Sequence, residues 1–378
     1  MPDVIVYGDT IRSPDLRHEV PVAIPDPFLY VERDGARYVV INSLEVPRVR
    51  EVEGLEAIPW EGLGWEELVE QGVDREELYL HLGERACRKL GIESAVVPAG
   101  FSLELADHLR GLGVELRADR KFFADRRRVK TETELAGIRR AQRACEAAMD
   151  AVRELLRRAQ ASNGVALLDG EPLTSERLKR AIGEVFTEHD VAADEFIVSH
   201  GAQSAIGHEM GSGPIAAGEP IVVDLWPKDR QTACYADMTR TFVVGDPPQE
   251  LVEYQRLCLE ALQDAVAAIK AGVPGKEVFR RTCEFFEAHG YPTQMSKQPG
   301  EILEEGFFHG LGHGVGLEVH EEPGMGIASQ GELVAGDVVT VEPGLYRPGF
   351  GGCRLEDLVL VTENGAESLT YYPYELQP

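Results

Sequence analysis

The sequence predicts an α/β protein of the α+β kind, built as two domains, with an antiparallel sheet in the second. Three observations carry this. The chain has 378 residues, more than one compact core usually holds. Helical and strand-like periodicities alternate along it. Two apolar runs in the C-terminal part each end at an acidic residue, pass a proline-containing turn, and resume at another acid and another apolar run, as antiparallel hairpins do.

In chain order, residues 1–125 read as an α/β domain. Tyr38–Ile41 and Ala95–Val97 are β-rich runs, and helical patterns lie near Trp65–Gln71 and Asp74–Leu90. None of these stretches brings His, Cys and carboxylates together, so this domain is expected to serve packing or oligomerisation. Arg126-Arg127-Arg128 reads as a solvated linker rather than a nucleic-acid patch, and residues 126–378 form the second domain. Thr131 with Glu134 makes a capping box, and Leu135, Ile138, Ala141, Cys145, Ala148, Val152 and Leu155 recur at helical spacing behind it. A long amphipathic helix is expected there. Ile221–Val223, Thr239–Val244, Val338–Val341 and Leu358–Val361 are strands, helices fill Glu250–Ile269 and Lys276–Ala288, and Asn364-Gly365 marks a hairpin turn.

Composition narrows the class. Apolar residues make 43% and charged residues 27%, as in ordinary folded protein. With 38 Lys and Arg against 65 Asp and Glu, the formal charge of −27 opposes binding to nucleic acid or anionic membranes. No apolar stretch is long enough to span a bilayer, and no secretory signal is visible, so a cytoplasmic protein is expected. Six scattered cysteines, never as C-x-x-C, suit reduced, buried thiols.

Seven of the ten histidines fall between positions 189 and 320, and His309, His313 and His320 lie within twelve residues in a glycine-rich run. A lone histidine is usually structural. Three where alternate glycines let the backbone pass close to its neighbours favour a metal or catalytic site. The spacing fits neither G-x-G-x-x-G nor H-E-x-x-H, and Met210-Gly211-Ser212-Gly213 is no nucleophile elbow. Carboxylates supply the rest. Asp224 and Asp237 lie 13 residues apart, Glu342 and Glu356 lie 14 apart, and each pair is expected to face across its hairpin. Trp226 and Pro227 after an apolar run point to burial of Asp224, whereas Asp229, Asp246 and Glu363 read as solvated turn residues. Four ionised carboxylates in one pocket repel by about 4 kcal/mol per close pair at an effective dielectric near 20. Two divalent cations balance them. Oxygen ligands plus one imidazole suit Mn, Co, Fe or Zn.

The segments Asp237-Met238-Thr239-Arg240-Thr241-Phe242, His309 through Glu321, Val341-Glu342-Pro343-Gly344 and Arg354-Leu355-Glu356-Asp357 resemble peptidase family M24, in its aminopeptidase P and prolidase branch. The resemblance covers about the last two thirds of the chain. It implies an N-terminal creatinase/prolidase-like α/β domain, then a pita-bread catalytic domain. It also implies two divalent metal ions, Mn foremost, with Co, Zn or Fe as alternatives. Asp224 would hold one, Asp237 and Glu356 both, and His313 and Glu342 the other. A hydroxide between them would cleave the Xaa-Pro bond of dipeptides or short peptides, with Glu342 in proton transfer. His208 and His320 would steady the carbonyl, His309 would stand beside the pocket, and Arg354 would orient a bridging carboxylate. A homodimer through the N-terminal domain is implied as well. Two positions depart from the family pattern. Leu225-Trp226-Pro227 replaces a glycine-containing turn and lengthens the gap between the Asp ligands by two. Gly324 stands where prolidases often carry an Arg for the dipeptide carboxylate, which favours longer substrates unless Arg347 substitutes. The alternatives are a creatine-type non-peptidase hydrolase or lyase on the same fold, or a non-catalytic binding module; both are expected to have lost metal ligands.

Overall fold

The computed structural model describes residues 2–378 and divides into two compact units, Met1–Arg127 and Arg128–Pro378. In the first, alternation of apolar residues buries both faces of a six-stranded mixed sheet. Its strand order is Leu55–Pro59, Ala36–Ile41, Phe28–Arg33, Val4–Gly8, Ser94–Val97, Glu115–Ala118. Ile5, Leu29 and Val31 face a core completed by the helices Arg75–Leu90 and Leu103–Gly111, while Val4, Val6, Phe28 and Tyr30 face the opposite core.

The basic run is not a solvated linker. Arg126 to Arg128 end the helix Arg120–Arg128, and carboxylates draw their side chains in. Arg126 pairs with Glu19 at 2.6 Å and Glu32 at 2.7 Å, and Arg128, with which the second unit begins, holds Asp337 of the same unit by two hydrogen bonds. Sequence shows the charge of such a run but not its partners, which lie about 100 or 200 positions away.

The second unit opens with the long helix Glu132–Arg158, whose capping box closes as expected: Thr131 Oγ1 accepts from the Glu134 amide and the Glu134 carboxylate accepts from that of Thr131. This helix and Ser175–Glu188 cover the antiparallel sheet Ile197–His200, Ile221–Leu225, Met238–Phe242. The helices Gln249–Ala268 and Gly275–Ala288 share a second core with Val339, Val341, Val359 and Val361. These valines belong to an antiparallel sheet ordered Glu321–Met325, Gly312–Gly314, Val338–Val341, Asp357–Val361, Ala366–Ser368. Strand alternation then decides where the acids point. Ile221, Val223 and Leu225 pack in the first core, so Asp224 projects from the other face. Val339 and Val341 do the same for Thr340 and Glu342.

The segments around the two sheets are bolted together by three consecutive side chains. Thr239 Oγ1 donates to Glu356 Oε2 at 2.7 Å, and Thr241 Oγ1 donates to the Arg354 carbonyl at 2.9 Å. Between them Arg240, 1% exposed, makes five hydrogen bonds, to the carbonyls of Thr239, Glu356, Tyr372 and Pro373 and to Asp357 Oδ1. Tyr374 stacks beneath its guanidinium at 4.5 Å. A fully buried charge is tolerated here because all its donors are satisfied. Arg240→Met should therefore lower the unfolding free energy by roughly 3–5 kcal/mol in denaturant titration, the cost of stranding Asp357 and four carbonyls. Arg240→Lys should recover only part of that loss, since an ammonium offers three donors. A near-neutral Arg240→Met variant would contradict this account.

Candidate metal centre

Seventeen residues of the second unit, Asp224, Asp237, His313, Glu342 and Glu356 among them, line one cavity of about 740 Å³. His208, His309, His320 and Arg354 line it as well, so the nine residues given a metal-holding or catalytic role from the sequence border the same space. Trp226, Phe308, Met210 and Glu195 complete part of the wall.

The two hairpins deliver their acids differently. Asp224 pairs with Thr239 in the ladder, so Asp237 is offset by two residues and sits diagonally from Asp224 on the same face. The expectation that they face each other is corrected: the 13-residue spacing does not reveal the register. Glu342 and Glu356 do oppose each other. The ladder Val338–Val341 with Asp357–Val361 and the ladder Gly344–Arg347 with Gly351–Arg354 share one register, and the two glutamates fill the gap between them. Asp229 is corrected too. It is 4% exposed, held by Arg140 at 2.8 Å and by the Thr232 hydroxyl at 2.6 Å.

Glycine brings the histidines in. A Cβ on Gly312 would lie 2.1 Å from the Thr340 carbonyl, and one on Gly314 would lie 2.5 Å from that of Glu322. Only a bare backbone fits between the flanking strands, and His313 stands between these two glycines. Its Nδ1 faces the Gly314 carbonyl at 3.2 Å, and its Nε2 stands 3.8 Å from Asp237 Oδ2 and 3.7 Å from Glu342 Oε1. Asp237, His313 and Glu356 each offer a donor atom within 4.8 Å of the others. The rings of His313 and His320 lie 4.2 Å apart, and His309 Nε2 meets the Tyr346 hydroxyl at 2.9 Å.

Arg354 does not contact Asp237 or Glu356 directly. Its guanidinium binds Asp224, the Tyr346 hydroxyl at 3.0 Å and Thr239 Oγ1 at 3.3 Å, and Thr239 passes the contact to Glu356. Tyr346, Thr239 and Arg240 were not singled out from the sequence as site residues. Their one signal was position, two or three residues past Asp237 and four past Glu342. Arg347 lies outside the cavity, occupied by Glu250 in a two-bond pair of 2.7 and 2.6 Å.

Residues 136–363 match the profile of metallopeptidase family M24. The chain is 33% identical to the Xaa-Pro dipeptidase of Pyrococcus horikoshii over 315 residues, 82% of this chain and 80% of that protein. This chain belongs to metallopeptidase family M24. It is also 40% identical to the Xaa-Pro dipeptidase of Pyrococcus furiosus over 189 residues, a match that spans about half of either protein, 49% of each. The fold is that of an X-Pro aminopeptidase from Thermotoga maritima, with a TM-score of 0.77 at 24% identity over 98% of this chain and 96% of that one.

M24 chemistry implies divalent metal ions, and the cavity fits them on its own terms. Asp224 Oδ1 and Asp237 Oδ1 are buried with no hydrogen-bond partner, an expensive state unless a cation supplies one. Burial, with the charges of Glu356, Asp224 and Glu342, pushes the Asp237 carboxyl far above its ordinary value. Burial together with Glu342 and Asp224 does the same to Glu356. Burial carries Glu342 to about 8, against the pull of Arg354. His313 falls to about 4, through burial and then His320, so its imidazole is neutral as a ligand must be.

A pH test follows. A carboxyl whose value rises on folding keeps its proton in the native state, and its contribution to stability is complete below the unfolded value. For Glu342 that contribution is lost as pH rises from 4.5 through about 8. Asp237 and Glu356 shift in the same direction. Chelator-treated protein should therefore lose Tm steadily between about pH 5 and pH 8.5, and the Tm gained on adding Mn²⁺ should grow over the same window. A gain that is flat or shrinks with pH would mean that these carboxylates do not hold the metal.

Proposed function

We propose that this M24 protein is a cytoplasmic Xaa-Pro peptidase of the aminopeptidase type, with two divalent ions, Mn foremost, held by Asp224, Asp237, His313, Glu342 and Glu356. The observation that carries the reading is the convergence of these five side chains on one cavity with two buried aspartate oxygens unpaired. The creatine-type and binding-module alternatives predict eroded ligands, and none is eroded here. The two Pyrococcus relatives are named Xaa-Pro dipeptidases, which supports proline-containing dipeptides or short peptides as the substrate class.

When bound, such a metal pair lowers the pKa of a shared water towards neutrality and polarises the scissile carbonyl. The chain's own residues do the rest. Glu342, which borders the same space, would take a proton from the attacking water and pass it to the departing proline nitrogen. His320 is lowered from its ordinary value by burial and then by His208. A neutral imidazole so placed donates a hydrogen bond to a developing oxyanion without bringing a charge that would repel the metals. His208 lines the same wall, and Trp226 and Phe308 offer apolar faces to the proline ring. Arg354, through Asp224 and Thr239, fixes the carboxylates before substrate arrives.

Substrate length follows from the arginines. Arg354 is the one guanidinium among the described residues lining the cavity, and Asp224, Tyr346 and Thr239 occupy it. Arg347 is committed to Glu250, and Gly324 offers no side chain. A free proline carboxylate therefore finds no bidentate partner. Xaa-Pro-Yaa tripeptides should be cleaved at least as well as Xaa-Pro dipeptides. A kcat/KM tenfold or more in favour of the dipeptide, about 1.4 kcal/mol of transition-state discrimination, would reverse the assignment.

Single substitutions separate metal holding from carbonyl stabilisation. His313→Ala and Asp237→Ala should lose bound metal and hydrolysis together. His320→Ala should keep metal content and Tm near the parent's while kcat falls about 10²–10³-fold, the worth of one oxyanion donor. Parent-level turnover by His320→Ala would make that histidine part of the scaffold. Unchanged metal content in His313→Ala or Asp237→Ala would refute the two-ion centre.

A further inference from the structure

A second group of metal-competent side chains lies in the N-terminal unit, where no sequence pattern marks one. His81 and Glu84 stand three residues apart on the helix Arg75–Leu90, on one face, and His108 reaches the same point from the helix Leu103–Gly111. Glu84 Oε2 is 3.7 Å from His81 Nδ1 and 3.3 Å from His108 Nε2, and all three donor atoms lie within 4.8 Å of one another. The two rings meet edge to face at 5.7 Å.

The packing beneath keeps the three together. Gly83, buried between the two ligand candidates of its helix, has Leu105 so close that an added Cβ would sit 3.0 Å from its Cδ1. The missing side chain lets the helices approach, and Leu105 lies three residues before His108 on the same face. Leu82, Ala86, Leu105 and Leu109 are all buried in this contact. The donors therefore rise from a rigid helix pair, not from a loop. Arg88 engages the other oxygen of Glu84, Oε1, at 2.6 Å, which orients the carboxylate and leaves Oε2 for the two imidazoles.

We propose that His81, Glu84 and His108 form an accessory site for a zinc-class divalent cation that clamps the two helices. Two imidazoles and one carboxylate make the donor set of many open zinc sites, with water completing the shell. Donors about 2.0–2.2 Å from zinc lie about 3.3–3.6 Å apart at tetrahedral angles, close to the two separations measured here. Such nitrogen-rich sets favour Zn²⁺ over Mg²⁺ or Mn²⁺, in contrast to the carboxylate-dominated centre of the other unit. The proposal is independent of the peptidase reading, because the two groups share no residue and belong to different units.

The test uses the full chain and Zn²⁺ as the probe. Equilibrium dialysis with metal analysis should find one zinc ion per chain more in the parent than in His108→Ala or in the milder His81→Gln. Mn²⁺-supported hydrolysis should be the same in all three, since neither residue touches the catalytic cavity. Zinc should also raise the parent's Tm further than it raises that of either variant. Equal zinc content and equal zinc-induced Tm shifts in parent and His81→Gln would overturn the proposal, leaving the three side chains as an ordinary polar cluster. Circular dichroism on both variants excludes misfolding, and the more exposed His81 is the safer substitution.

Discussion

Concentrated negative charge in a buried cavity is the constraint on which the catalytic unit turns. Asp224, Asp237 and Glu356 are all under 9% exposed, and Glu342 opposes Glu356 across the hairpin. At an effective dielectric near 20, each close pair of ionised carboxylates costs about 4 kcal/mol, a large fraction of the net stability of a typical domain. The fold relieves only part of this from within. Arg354 meets Asp224, the Thr239 hydroxyl meets Glu356, and two aspartate oxygens are left without any partner. What remains is a deficit of positive charge in the place where a metallopeptidase needs cations. The strain and the cofactor requirement are the same quantity.

Holding like charges together demands a frame that does not relax. Two antiparallel sheets, each backed by two helices, present their acids from the faces turned away from the helices. Thr239, Arg240 and Thr241 then lock the first sheet to the segment 354–357, on which Glu356 stands. Arg240 is the unusual element, a charge sealed among carbonyls and Tyr374. Its bond to the Glu356 carbonyl fixes the backbone of a ligand whose side chain is itself held by the neighbouring Thr239. Position in this site is therefore enforced twice, once through main chain and once through side chain.

Much of this was legible in the residues. The apolar runs, the capping box at Thr131 and the hairpin at Asn364-Gly365 are local patterns, and local patterns survive folding. The site was legible because acids and imidazoles in glycine-rich and apolar settings have few bland explanations. Long-range pairing was not legible. The Arg126–Arg128 run looked solvated because Glu19, Glu32 and Asp337 are remote in sequence. Asp229 looked like a turn acid because Arg140 is 89 positions away. The His81, Glu84 and His108 group escaped because its third member comes from another helix, drawn in by the absent side chain of Gly83.

The same logic separates the two metal-competent sites by chemistry. In the catalytic unit four carboxylates, three of them buried, stand within one cavity with one imidazole, so removing cations leaves repulsion behind. In the N-terminal unit two imidazoles flank one carboxylate, and without a cation that carboxylate still has hydrogen bonds from His108 and Arg88. The first arrangement needs metal to be comfortable at neutral pH; the second merely accepts it. Occupancy of the first should then follow the carboxylates' protonation, while occupancy of the second rests on two half-buried imidazoles and a single carboxylate oxygen.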